Sequence, residues 1–119
     1  MGDPICLIVD DEPAIRAYLG AVLRRRGIVS LEASSAAAAL RTIEELSGRI
    51  DCLITDIEMP GDMNGIDLAY SVRGSFPALP VIVVSGYTER VPPGFAFIRK
   101  PFVPADMLKI VDQALEGAA

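Results

Sequence analysis

The chain contains no histidine. That gap removes imidazole acid–base chemistry, histidine-ligated zinc and any role as a phosphohistidine donor. Cysteine is scarce, with only Cys6 and Cys52 in 119 residues. Two thiolates alone cannot complete a structural zinc site, and a cytosolic pair is normally reduced. Long hydrophobic runs are missing as well. The first apolar stretch stops at the acids of residues 10–12, short of the roughly 18 residues a membrane span requires. Asp3 and Pro4 stand where a secretory signal would carry its basic start, so the expected location is the cytoplasm. Positive charge is outnumbered, 11 Lys and Arg against 16 Asp and Glu, for a net −5. Acids crowd residues 51–67 (Asp51, Asp56, Glu58, Asp62, Asp67), which speaks against direct nucleic-acid binding. The one basic run, Arg24-Arg25-Arg26, closes a predicted helix, where cations suit the negative end of the helix dipole.

What remains is strongly apolar: 51% hydrophobic residues and a mean hydropathy of +0.40. A chain of this length and composition makes one domain, residues 1–119, with strands buried on both faces. Four short apolar runs each deliver polar groups. Ile5-Cys6-Leu7-Ile8-Val9 leads into Asp10-Asp11, and Cys52-Leu53-Ile54-Thr55 into Asp56. Val81-Ile82-Val83-Val84 leads into Ser85-Gly86, and Phe95-Ala96-Phe97-Ile98-Arg99 into Lys100-Pro101. If these runs are parallel strands, their polar groups meet at one sheet edge, where open α/β sheets place ligands. Three acids, a hydroxyl and an amine converging there suit a divalent metal and a phosphoryl group.

Helical periodicity fills the spaces between the runs. Ile15, Tyr18, Leu19, Val22 and Leu23 mark a first helix, opened near Pro13 and stopped by Gly27. A short edge-like strand follows at 29–33. Ser34 or Ser35 caps a second helix built on Ala36, Ala39, Leu40, Ile43 and Leu46, ending at Gly48. A third helix runs from Ile66 to about Gly74, and the last spans 104–115 on Met107, Leu108, Val111 and Leu115. Alternating strands and helices imply parallel strands with right-handed crossovers. Cys6 and Cys52 each lie four residues before an aspartate. They are expected as buried, neighbouring small hydrophobes on the side their aspartates face.

The crossover before Lys100 is short. Residues 86–99, fourteen in all, include Pro92, Pro93 and Gly94. A parallel crossover needs about a dozen residues or more before its strand, so the helix there should be one turn, around Thr88, Glu89 and Arg90, or missing. Val91 precedes a proline and cannot easily extend such a turn. With little apolar surface to dock, the segment is expected to open cheaply.

Five pieces in this order, Val9-Asp10-Asp11-Glu12, Thr55-Asp56-Ile57-Glu58-Met59-Pro60, Asn64-Gly65-Ile66-Asp67-Leu68, Ser85-Gly86-Tyr87 and Lys100-Pro101-Phe102, resemble the receiver domain of two-component response regulators. The resemblance covers residues 4–116 and implies a flavodoxin-like, doubly wound five-stranded parallel sheet in the order 2-1-3-4-5. It also implies that Asp56 is the phosphoacceptor, loaded by a histidine kinase or a histidine phosphotransfer protein. By the same resemblance Mg²⁺ touches Asp11, Asp56 and the Glu58 backbone carbonyl directly, and Asp10 through water. Lys100, joined to Pro101 by a cis bond, would aim its amine at the phosphoryl oxygens, and Ser85 would add a hydroxyl donor. On phosphorylation Ser85 would move toward the phosphate and Phe97 would turn inward. Many relatives carry Tyr at that position; Phe lacks the hydroxyl, so packing alone must hold the inward state.

The chain departs from the family pattern in two places. Loop 60–65 carries one residue more than the commonest form, similar to receivers attached to sensor kinases, and the short crossover alters a face many receivers use for output. The expectation is either a single-domain regulator or a receiver from a hybrid kinase, since residues 116–119 only fray out after Leu115. The output partner is left unassigned and a homodimer left open, with no nucleic acid, membrane or external enzymatic turnover expected. Two rivals stand beside this reading. One is a Mg²⁺-dependent phosphohydrolase with an aspartyl nucleophile, disfavoured because this compact chain has no cap domain. The other is a phosphorylation-silent interaction module, disfavoured because no site residue is missing.

Overall fold

The computed structural model describes residues 2–87 and 91–117. Strand β1 spans Ile5–Val9, β2 Val29–Ala33, β3 Cys52–Asp56, β4 Val81–Ser85 and β5 Ala96–Arg99. Helices α1 (Pro13–Arg25), α2 (Ala36–Glu45) and α3 (Gly65–Ser75) join the first four strands, and α4 (Pro104–Gly117) closes the chain. All strand pairs are parallel, in the order β2-β1-β3-β4-β5. Among the described residues no helix is long and apolar enough to cross a membrane.

Local chemistry explains the element ends. Pro13 opens α1 with its ring already at a helical φ. The Ser35 hydroxyl accepts the Ala38 N–H at 3.1 Å to cap α2. A capping box opens α3: the Asn64 side chain accepts from Ile66 and Asp67, while Asp67 accepts the Asn64 N–H. Gly27 and Gly48 take φ of 78° and 72° after α1 and α2, conformations a residue with a Cβ rarely adopts.

The sheet carries a separate core on each face. Leu7, Val9, Leu53, Val81 and Val83 pack with α2 and α3. Cys6, Ile8, Cys52, Ile54, Ile82 and Val84 pack with α1 and α4. Alternation along parallel strands sends neighbours to opposite faces, so Cys6 pairs directly with Cys52, both buried and free. The hydrogen-bonding Cys6 thiol, then burial, push the Cys52 thiol above its ordinary value, which keeps it protonated and inert.

Register aligns the strand ends. Val9 pairs with Thr55, Asp56 with Val84 and Ser85 with Arg99. Asp10, Asp56, Ser85 and Lys100 are thereby set at one edge of the sheet.

The described part of the β4–β5 crossover, residues 86–87 and 91–95, contains no helix. Thr88, Glu89 and Arg90, where a single turn was expected, lie outside the described residues. Little apolar docking was expected of residues 86–94; Val91 nevertheless packs against a core cluster, anchored by Phe95 just beyond the segment. Phe95 is buried in the core cluster that Val91 also touches. Tyr70 meets the Phe95 ring edge-on, with centroids 5.3 Å apart. The Arg73 guanidinium lies 3.9 Å over that ring and donates to the Gly94 carbonyl at 2.9 Å. Gly94, at φ 94°, makes the reversal that brings Phe95 onto α3.

Candidate functional site

Asp10 follows β1 and is almost fully buried. Its N–H donates to the Ala33 carbonyl at 3.2 Å, and its Oδ1 accepts the Glu12 N–H at 2.9 Å. Its carboxylate thereby fixes the turn that leads into α1, whose N-cap residue is Glu12. Asp11, next in the chain, is exposed. Asp56 ends β3, its Oδ1 accepting the Ile57 N–H at 2.9 Å and its Oδ2 lying 3.4 Å from Lys100 Nζ. One carboxylate oxygen from each of Asp10, Asp11 and Asp56 lies within 4.8 Å of the other two.

Three acids this close carry a charge that only cations relieve. Burial holds the Asp56 carboxyl above its ordinary value of 3.8, and the neighbouring Asp10 adds to that, while Lys100 and the Ile57 amide pull it back down. The donor set is all hard oxygen, at a spacing a small divalent cation bridges, and it opens on solvent through Asp11. These residues fit Mg²⁺, which takes one or two carboxylates and keeps several waters. Glu58 lines the same cleft of about 530 Å³ as Asp11, Asp56, Ser85 and Lys100.

The remaining expected residues divide into two groups. Ser85 is buried at the end of β4 and reaches the cleft. Its hydroxyl donates to the Tyr87 carbonyl and accepts the Tyr87 N–H, both at 3.0 Å, so it closes its own turn. Lys100 donates its backbone N–H to the Ser85 carbonyl at 2.8 Å, which couples the ends of β4 and β5. The Lys100–Pro101 bond is cis. Phe97, by contrast, pairs with Val83 across the sheet and is 42% exposed. It lines neither cleft containing the acids.

Two contributors escaped the sequence. Gly65 opens α3 so close to β3 that a Cβ would lie 1.8 Å from the Asp56 carbonyl oxygen, while its N–H donates to the Ile57 carbonyl at 2.8 Å. In the sequence it stands in the Asn64-Gly65-Ile66-Asp67-Leu68 piece that carries the family resemblance, with no sign of this backbone contact. Arg16 is the other. Its guanidinium donates to the Asp10 carbonyl at 2.7 Å and pairs with Glu32 at 3.0 Å, contacts that helical periodicity does not forecast.

With this geometry in place, the chain compares closely with proteins already known. The family model for the response regulator receiver domain matches residues 6–112. The sensor kinase CckA of Brucella abortus is 35% identical over 97% of the chain, which spans 13% of that kinase. A solved receiver domain from the hybrid histidine kinase CckA superposes with TM-score 0.82 at 38% identity, covering 93% of this chain and 98% of that one. The response regulator TrrA of Thermotoga maritima, solved with Mg²⁺ and BeF, gives TM-score 0.84 at 28% identity over 94% of this chain and 99% of that one.

Proposed function

This chain belongs to the response regulator receiver domain family, and from that premise we propose that Asp56 is its phosphoacceptor. One observation carries the assignment. Of the three clustered acids, Asp56 alone has Lys100 Nζ beside its free oxygen, at 3.4 Å. That Oδ2 attacks phosphorus; a P–O bond forms as the P–N bond of a phosphohistidine breaks, and the leaving imidazole keeps the electron pair. Little covalent work falls to the protein, so positioning and charge neutralisation dominate. Lys100 neutralises one phosphoryl oxygen from the β5 side. Ser85 adds a donor once its hydroxyl leaves Tyr87. Asp10, Asp11, Asp56 and the Glu58 carbonyl would hold Mg²⁺, which offsets charge on the acids and on the incoming phosphoryl group.

These 119 residues hold no histidine, so the phosphoryl group comes from a histidine outside them, on a histidine kinase or a histidine phosphotransfer protein in the cytoplasm. Phosphorylation and hydrolysis at Asp56 then switch the domain rather than turn over an external substrate. The acidic surface disfavours direct contact with nucleic acid. Ser85 and Phe97 carry the switch, Phe97 moving from its exposed position into packing near β4. Incubation with acetyl phosphate and Mg²⁺ should add one phosphoryl group by intact mass, and Asp56→Asn should abolish the addition. A labelled Asp56→Asn protein would move the acceptor elsewhere.

A further inference from the structure

Asp11 is the outermost acid of the cluster and makes no side-chain hydrogen bond among the described residues. Its carboxylate is therefore placed by its backbone, and that backbone is held on both sides. Just after Asp11, the Glu12 carbonyl accepts the Ile15 and Arg16 N–H groups at 3.1 and 3.2 Å, first-turn bonds that any residue at position 16 would make. The Arg16 guanidinium, reaching back along α1, donates through Nη1 to the Asp10 carbonyl at 2.7 Å, just before Asp11. The guanidinium is itself aimed, because its Nε donates to Glu32 Oε1 on β2 at 3.0 Å. The Arg16 side chain is only 16% exposed, a setting in which a forked, charged donor holds its geometry better than on an open surface.

We propose that Arg16 is a positioning residue for the metal site: its guanidinium holds the Asp10 carbonyl before Asp11, the first turn of α1 holds the Glu12 carbonyl after it, and Glu32 orients the guanidinium. The inference rests on reading Asp10, Asp11 and Asp56 as a Mg²⁺ site. The plainer alternative is that Arg16 and Glu32 form an ordinary surface ion pair tying α1 to β2. The two accounts predict opposite signs. Arg16 is a cation near a dication's site, so deleting its charge alone would tighten Mg²⁺ binding. Deleting the guanidinium's bond to the Asp10 carbonyl loosens Asp11 and weakens binding.

The test is calorimetric titration of the full chain with MgCl₂, comparing wild type with Arg16→Ala, Arg16→Lys and Glu32→Gln. Arg16→Ala should raise the Mg²⁺ dissociation constant by roughly fivefold to tenfold, about what one charge-assisted hydrogen bond contributes. Arg16→Lys keeps the charge but loses the fork, and should weaken binding by about twofold to fivefold. Glu32→Gln preserves an acceptor for Nε and should stay within about twofold. Amide exchange of metal-free protein supplies a second readout, with faster exchange at Asp11 and Glu12 in Arg16→Ala. If Arg16→Ala fails to fold, Arg16→Lys carries the comparison. Unchanged or tighter Mg²⁺ binding in the folded Arg16 variants would overturn the positioning role while leaving the site intact. A wild-type protein that binds no Mg²⁺ would overturn the site reading and the positioning role with it.

Discussion

The two halves of the sheet edge are built differently. On the β1–β3 side the two inner acids are fixed by backbone, Asp10 by Ala33 and Glu12 and Asp56 by Ile57, with α3 pressed against Asp56 at Gly65. Full helices cover both faces there. On the β4–β5 side the Ser85 hydroxyl bonds within its own turn. No helix is present among the described crossover residues, and Phe97 stands exposed on β5. The contrast separates two tasks. The half proposed to present oxygens to a cation is held by backbone bonds and a tight helix contact, whereas in the half proposed to respond to the phosphoryl group the Ser85 hydroxyl bonds locally and Phe97 is exposed.

The largest effect should come from filling the tightest contact on the fixed side. Gly65→Ala forces a methyl into the Asp56 backbone and should cost about 3 kcal/mol or more in urea unfolding. Gly86→Ala, where a Cβ would meet nothing within 4 Å, should stay within about 0.5 kcal/mol. Equal costs at the two glycines would erase the distinction between the halves.

Within the β4–β5 half a sharper division is expected between anchor and reporter. Phe95→Ala should destabilise by about 3 kcal/mol, because its ring is buried beneath Tyr70 and Arg73. Phe97→Ala should cost under about 1 kcal/mol in the unphosphorylated protein. A large loss at Phe97 would show that it already serves as core.

A smaller effect follows from the charge stored on the fixed side. The folded pKa of Asp56 is raised above 3.8, so over a window above that value the folded state holds a proton the unfolded chain has lost. Stability then falls as pH rises through the window. Without Mg²⁺, Asp56→Asn should melt at higher temperature than wild type at neutral pH, and the gap should close as pH is lowered toward 3.8. A gap that is independent of pH would mean that charge at Asp56 is not its source.

Most of the fixed half was legible in the sequence, because strand ends and caps are written locally. Val9 followed by Asp10-Asp11, Thr55 followed by Asp56, and Ser35 before an apolar period each declare a boundary, and the parallel order places the boundaries together. Gly65 and Arg16 were not legible, since their partners are backbone carbonyls supplied by tertiary approach. Phe95 shows the same limit. Its run read as the start of a strand, whereas the fold uses it as a plug on α3. A Cβ clash or a cation over a ring depends on where helices land, and periodicity does not carry that information.

The central claim is that one carboxylate, Asp56, receives the phosphoryl group. Borohydride reduces an acyl phosphate to an alcohol, so treating the phosphorylated protein should convert its acceptor aspartate to homoserine. Peptide mass spectrometry after acetyl phosphate, Mg²⁺ and borohydride should find homoserine at position 56 and aspartate at positions 10 and 11. Homoserine at 10 or 11, or at none of the three, would contradict the account.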